Sequence, residues 1–219
     1  MYKLLIFDLD GTLLNTITDL AMSVNYALKQ HRFPTHPVDE YRYFVGNGIA
    51  KLIERALPTN ASTPDNLELV KKTFVDYYNL HNTEYTFPYN GIPKLLTELQ
   101  YRGLLLAVAS NKYHQATTYL IDKLFPDVHF AAVFGQRQDV PVKPNPQIVY
   151  DIMMETGMSV ENTLYIGDSS IDMQTASNAG VTSVGVTWGF RPRTELVANG
   201  ACHIVDTPEE ILLLLRDDK

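Results

Sequence analysis

The sequence predicts an α/β fold: a parallel sheet wrapped by helices and interrupted after its first strand by a small all-helical domain. Three observations carry this. Short runs that are apolar at successive positions recur along the chain, the pattern of strands covered on both faces. From residue 91 onward these runs alternate with helical patterns, which implies parallel strands joined by right-handed crossovers. The stretch from Asp10 to Gly103 is far longer than one crossover helix, and it carries helical patterns without a convincing strand.

The first strand is expected at 3–9, an apolar run stopped by Asp8, Asp10 and Gly11. Helical patterns then cover 16–31, 39–44, 49–57 and 65–81. Asn15 marks the entry to this stretch and Phe87-Pro88-Tyr89-Asn90-Gly91 its exit. The expected division is therefore an inserted helical domain at 15–87, with 1–14 and 88–219 forming the sheet-bearing core. Next comes a helix at 91–102 with Ile92, Leu95, Leu96 and Leu99 at helical spacing, closed by Gly103. Strands at 104–109, 131–134, 163–166, 182–186 and 203–205 follow, with helices at 113–124, 147–156 and 172–179 between them. Thr207-Pro208-Glu209-Glu210 reads as a capping box that opens a final helix.

Composition narrows the function classes. The chain has 219 residues, 45% of them hydrophobic and 20% charged, which suits a globular protein with an ample core. Its single cysteine excludes an internal disulfide scaffold, and Cys202 is expected to be a packing residue. The 18 basic and 25 acidic side chains leave a net charge of −7, which argues against a nucleic-acid partner. No apolar run approaches the length of a membrane span, and Leu4-Leu5-Ile6-Phe7 is too short for a signal-peptide core. A cytoplasmic protein, monomeric or a small homo-oligomer, is the expectation.

The chemistry gathers at the carboxyl ends of the strands, where open α/β sheets bind ligands. Asp8 and Asp10 leave the first strand two residues apart, so they share a side and call for a cation or a proton; paired acids also suit a simple turn. Ser110-Asn111-Lys112 ends the second strand ahead of a helix, which suits a phosphate or an ordinary cap. Lys143-Pro144-Asn145-Pro146 holds Lys143 in a defined direction. Asp168 and Asp172, in Gly167-Asp168-Ser169-Ser170-Ile171-Asp172, suit a hard cation such as Mg²⁺ as well as helix capping. Together these groups make an inventory for Mg²⁺ and a phosphoryl group. Arg191 and Arg193 read as solvated surface, and the tyrosines of the insert, Tyr77 and Tyr78 among them, as helix packing.

In this order, Asp8-Leu9-Asp10-Gly11-Thr12, Ser110-Asn111, Lys143-Pro144-Asn145-Pro146 and Gly167 to Asp172 resemble the haloacid dehalogenase superfamily of phosphotransferases over nearly the whole chain. The resemblance implies a Rossmann-like core with a mobile helical cap. It also implies roles: Asp8 as nucleophile, Asp10 as general acid/base, and Thr12, Ser110, Asn111 and Lys143 around the phosphoryl group. Mg²⁺ would lie among Asp8, the Asp10 carbonyl and Asp168, with Asp172 in support. Val45-Gly46-Asn47-Gly48 and the residues after it resemble the cap loop of phosphoglycolate phosphatases, although Asn15-Thr16 stands where relatives commonly carry Asp-Ser. That subgroup implies 2-phosphoglycolate, a small phosphorylated metabolite, as substrate; Gly46, Asn47 and Gly48, between two helices, with Lys51, suit recognition of its carboxylate, and the same glycines equally suit a tight turn packed on a neighbouring helix. A sugar phosphomutase of the β-phosphoglucomutase type and an inorganic pyrophosphatase remain alternatives on the same core.

Overall fold

The computed structural model describes residues 2–215. Strand β1 (Leu4–Phe7) is buried at every position. After a tight turn the chain forms β2 (Leu14–Asn15), then helices α1 (Ile17–Gln30), α2 (Tyr41–Phe44), α3 (Gly48–Ala56) and α4 (Pro64–His81), and returns through β3 (Phe87–Pro88). Alternation follows: α5 (Ile92–Tyr101), β4 (Leu105–Tyr113), α6 (His114–Leu124), β5 (Ala132–Gln136), α7 (Gln147–Thr156), β6 (Thr163–Gly167), α8 (Ser170–Ala179), β7 (Thr182–Val186), α9 (Arg193–Ala198) and β8 (His203–Val205). Six strands form one parallel sheet in the order β5-β4-β1-β6-β7-β8, a Rossmann-like core with β1 at its centre.

Strand period two divides the core between the sheet's faces. Leu5 and Phe7 join Leu164 and Ile166 against α5 and α6. Leu4 and Ile6 join Ala107 and Tyr165 against α7 and α8. The helices between β2 and β3 pack around a separate cluster that includes Leu20, Val24, Ile53, Phe74 and Tyr78, and it meets the core through Ala116 and Phe190. This is the helical cap.

Several elements differ from expectation. The long stretch before Gly103 contains two short strands after all: β2 and β3 pair antiparallel, Leu14 with Pro88 and Asn15 with Phe87, where the chain enters and leaves the cap. Two-residue strands carry no periodicity to detect. The buried Asp19 carboxylate braces them by accepting from the Tyr85 N–H at 3.0 Å and the Thr86 hydroxyl at 2.7 Å. Strand β4 continues through Ser110, Asn111 and Lys112, so α6 starts beyond these residues and does not offer them its N-terminus. Helix α8 opens at Ser170, and its capping box joins Ser169 to Asp172. Helix α9 was hidden by the polar Arg191-Pro192-Arg193. Residues Pro208–Leu213 form a 3-10 helix, in which Glu210 accepts from the Asp206 N–H. Cys202 is exposed and does not pack in the core.

Candidate active site

The carboxyl ends of β1, β4 and β6 meet under the cap. Asp8 follows β1 directly. Lys143, almost fully buried, places its ammonium 2.8 Å from Asp8 Oδ1 and 2.8 Å from Asp172 Oδ1, and donates to the Ala109 carbonyl at 2.9 Å. Burial alone would lower the Lys143 pKa, but Asp172 and Asp8 more than reverse this and hold it well above the usual lysine value. Asp172 is saturated: Oδ1 accepts from Lys143 and from the Tyr165 hydroxyl, and Oδ2 from the Ser169 N–H and hydroxyl.

Three carboxylates, Asp8, Asp168 and Asp172, offer oxygens within 4.8 Å of one another. Burial pushes the Asp8 carboxyl up from 3.8 to about 7; Lys143 pulls it down, and Asp172 and Asp10 push it up again. Asp168 is raised too, by burial first and then by Asp172 and Asp8. Both shifts come first from burial and then from neighbouring carboxylates, and the Lys143 ammonium offsets them only in part. An all-oxygen, anionic donor set of this kind fits a hard divalent cation. The backbone is shaped to bring Asp168 in: Gly11 has φ +90°, and a Cβ at Gly11 or Gly189 would collide with the Asp168 side chain. Asp168 also accepts from the Phe190 N–H at 2.6 Å.

The other expected residues fall into two groups. Asp10 and Ser110 line the cavity between core and cap. Asp10 Oδ2 is 3.0 Å from the Lys112 ammonium, and its buried Oδ1 has no hydrogen-bond partner among the described residues. Ser110 Oγ accepts from the Lys112 N–H at 3.2 Å, which leaves its proton free to donate. Thr12 and Asn111 are committed elsewhere. The Thr12 hydroxyl points at Asp168 Oδ1 across 3.4 Å. The Asn111 amide accepts from the Lys143 N–H at 2.8 Å and donates to the Lys143 carbonyl at 3.0 Å and the Gly46 carbonyl at 2.9 Å. Asn111 thus ties the Lys143 loop to the cap.

In the cap loop, Gly46 and Gly48 line the cavity. Lys51 does not: its side chain is 56% exposed and pairs with Glu54 at 2.6 Å. Asn47 accepts from Arg55 at 2.8 Å, and Arg55 also donates to the Phe44 carbonyl. Asn47 and Lys51, expected in specificity, thus have their side chains engaged within the cap and do not line the cavity.

Lys112, Tyr78 and Arg191 also line the cavity, and the sequence assigns none of these side chains a role of its own. Ser110 and Lys112 lie two apart in β4, so strand period would have placed them together had the strand been extended that far. Tyr78 lies on α4 among apolar neighbours and carries no local signal. Arg191, read as solvated, has a largely buried side chain that donates to the Val45 carbonyl at 3.2 Å and stacks over Tyr43 at 5.1 Å. It clasps the cap loop from the core side.

The family model described as haloacid dehalogenase-like hydrolase matches residues 5–186. The phosphoglycolate phosphatase of Pasteurella multocida is 32% identical, over 98% of this chain and 98% of its own. That of Mesorhizobium japonicum is 33% identical over 87% of this chain and 85% of its own. A solved structure from Lactobacillus delbrueckii, described as a candidate phosphoglycolate phosphatase, superposes with a TM-score of 0.93 at 32% identity, covering 99% of both chains.

Proposed function

The chain belongs to the haloacid dehalogenase-like hydrolases, and from that premise we propose that it is a Mg²⁺-dependent phosphatase that hydrolyses 2-phosphoglycolate through an aspartyl-phosphate. The observation that carries this is the Lys143 ammonium, 2.8 Å from Asp8 Oδ1 inside a buried cluster of acids that is short of positive charge. Asp8, Asp168 and the Asp10 carbonyl would hold Mg²⁺. Asp172, with both oxygens engaged, supports the site by fixing Lys143 and Ser169. The ion would supply positive charge against the phosphoryl oxygens.

The protein's own groups have distinct tasks. Lys143 and Ser110 bind phosphoryl oxygens, offset their charge and align phosphorus with the Asp8 carboxylate. Asp8 attacks phosphorus as the ester bond to the leaving oxygen breaks, and Asp10 gives that oxygen a proton. Asp10, now a carboxylate, takes a proton from the water that attacks the aspartyl-phosphate. Phosphate leaves, and Asp8 and Asp10 return to their starting states. The closed cap excludes bulk water while the first step proceeds.

Identity to phosphoglycolate phosphatases over nearly the full chain supports the substrate. The test is a panel with Mg²⁺ containing 2-phosphoglycolate, pyrophosphate and a hexose phosphate, scored for free phosphate and for isomerised sugar. Release of phosphate, fastest from 2-phosphoglycolate, is expected. Asp8→Asn should abolish it, and Asp10→Asn should lose roughly 10²–10⁴-fold. Substantial turnover by purified Asp8→Asn would refute the covalent route.

A further inference from the structure

The phosphoryl machinery recognises phosphate and nothing beyond it. If the substrate is 2-phosphoglycolate, its carboxylate needs a receptor of its own. Most nearby cations are occupied. Lys143 is held by two aspartates. Arg55 and Arg191 donate to main-chain carbonyls of the cap. Lys51 pairs with Glu54 at the surface.

Lys112 is different. Its side chain is 3% exposed, and its ammonium donates to Asp10 Oδ2 at 3.0 Å and lies beside the Tyr78 hydroxyl, with which it interacts more weakly. An ammonium has three protons, so at least one remains to donate to a ligand. The ammonium also lies 4.9 Å from the centroid of the Tyr78 ring, which the cap brings down on it. Tyr78 is fully buried, and its hydroxyl makes no close hydrogen bond among the described residues, the Lys112 ammonium being near it but not well placed to satisfy it. A buried hydroxyl without a partner is costly and points to a missing ligand. Asp10 Oδ1 is likewise unpartnered, and all three residues face the same cavity. The placement matches the substrate's shape: the carboxylate of 2-phosphoglycolate is one carbon from the leaving oxygen that Asp10 serves, and Lys112 is in contact with Asp10.

We propose that Lys112 and Tyr78 form the carboxylate receptor, the core supplying the charge and the cap supplying a hydroxyl donor. This rests on the phosphoglycolate reading and deepens it. Because one donor stands on α4 and the other on β4, the receptor is complete only when the cap is closed, and a substrate with a carboxylate at the right reach bridges the two.

The test compares 2-phosphoglycolate with ethyl phosphate, which keeps the carbon skeleton and lacks the carboxylate. The readout is the ratio of kcat/KM for the two substrates in the wild type, Tyr78→Phe, Lys112→Met and Lys112→Arg. A hydrogen bond to a charged group is worth roughly 10–100-fold. Lys112→Met should lower the ratio by about that factor, with KM for 2-phosphoglycolate rising. Tyr78→Phe, which keeps the ring and its packing, should lower the ratio by about 3–10-fold, and Lys112→Arg should recover part of what Lys112→Met loses. If the wild type shows no preference for 2-phosphoglycolate, the substrate assignment and the receptor fall together. If the wild type shows the preference and both Lys112→Met and Tyr78→Phe retain it, only the receptor is overturned. Should Lys112→Met fail to fold, Tyr78→Phe decides.

Discussion

Removing the metal should make the protein's stability depend on pH in an unusual direction, and Asp8→Asn should reduce that dependence, leaving the share carried by the raised Asp168 carboxyl. Folding raises the Asp8 pKa from 3.8 to about 7, chiefly through burial. An acid with a raised folded pKa binds its proton more tightly when folded. Its contribution to stability is therefore complete below about pH 4 and is lost as pH rises to about 7. The span from 3.8 to about 7 corresponds to about 4 kcal/mol. Of this, about 2–3 kcal/mol falls between pH 5 and 8, or about 5–10 °C in Tm for a chain of this size. The assay is thermal unfolding by circular dichroism of chelator-treated wild type and Asp8→Asn at both pH values. The wild type should lose that much more than the variant, since asparagine has no proton to release. Adding Mg²⁺ at pH 8 should raise the wild-type Tm and do much less for Asp8→Asn. Parallel pH profiles for the two metal-free proteins would refute the account of the acid cluster.

Turnover should require Mg²⁺ and stop with EDTA, and Ca²⁺ should substitute poorly because it prefers more ligands at longer distances; phosphate release across a metal series checks this. Asn111→Ala removes bonds to Lys143 and to Gly46 at once, so it should cost about 1–3 kcal/mol of stability and lower kcat/KM for 2-phosphoglycolate and ethyl phosphate alike, as read by melting curves and kinetics. Lys51→Ala should leave KM for 2-phosphoglycolate unchanged in steady-state assays, since its ammonium pairs with Glu54 outside the cavity.

The sheet and the acid set were legible because both follow from short-range rules. An apolar run that stops at Asp8 and Asp10 announces a strand and its functional end, and the same holds for Asp168 after β6. What escaped depends on contacts distant in sequence. Nothing near Tyr78 says that Lys112 will lie against its ring, and nothing near Asn111 says that its amide will face Lys143 and Gly46. Lys51 is a different case. On α3 the residues facing inward include Leu52, Ile53 and Ala56, with Ile49 at the matching helical interval. That same period sets Lys51 off the stripe, so the outward aim of Lys51 was available from the sequence.

The antiparallel pairing of β2 with β3 has an evolutionary and engineering consequence. Because Leu14 lies beside Pro88 and Asn15 beside Phe87, the helical segment is spliced into the fold at adjacent points, and neither end is woven into the parallel sheet. Such a segment can be exchanged as a cassette. Its replacement must satisfy the ribbon's pairing, tie its own two ends together as Asp19 does here through the Tyr85 N–H and the Thr86 hydroxyl, and cover Ala116 and Phe190. It need not preserve any strand register in the six-stranded sheet. The hydrolytic groups could thus stay fixed across descendants while the chemistry admitted above them changed with each cassette.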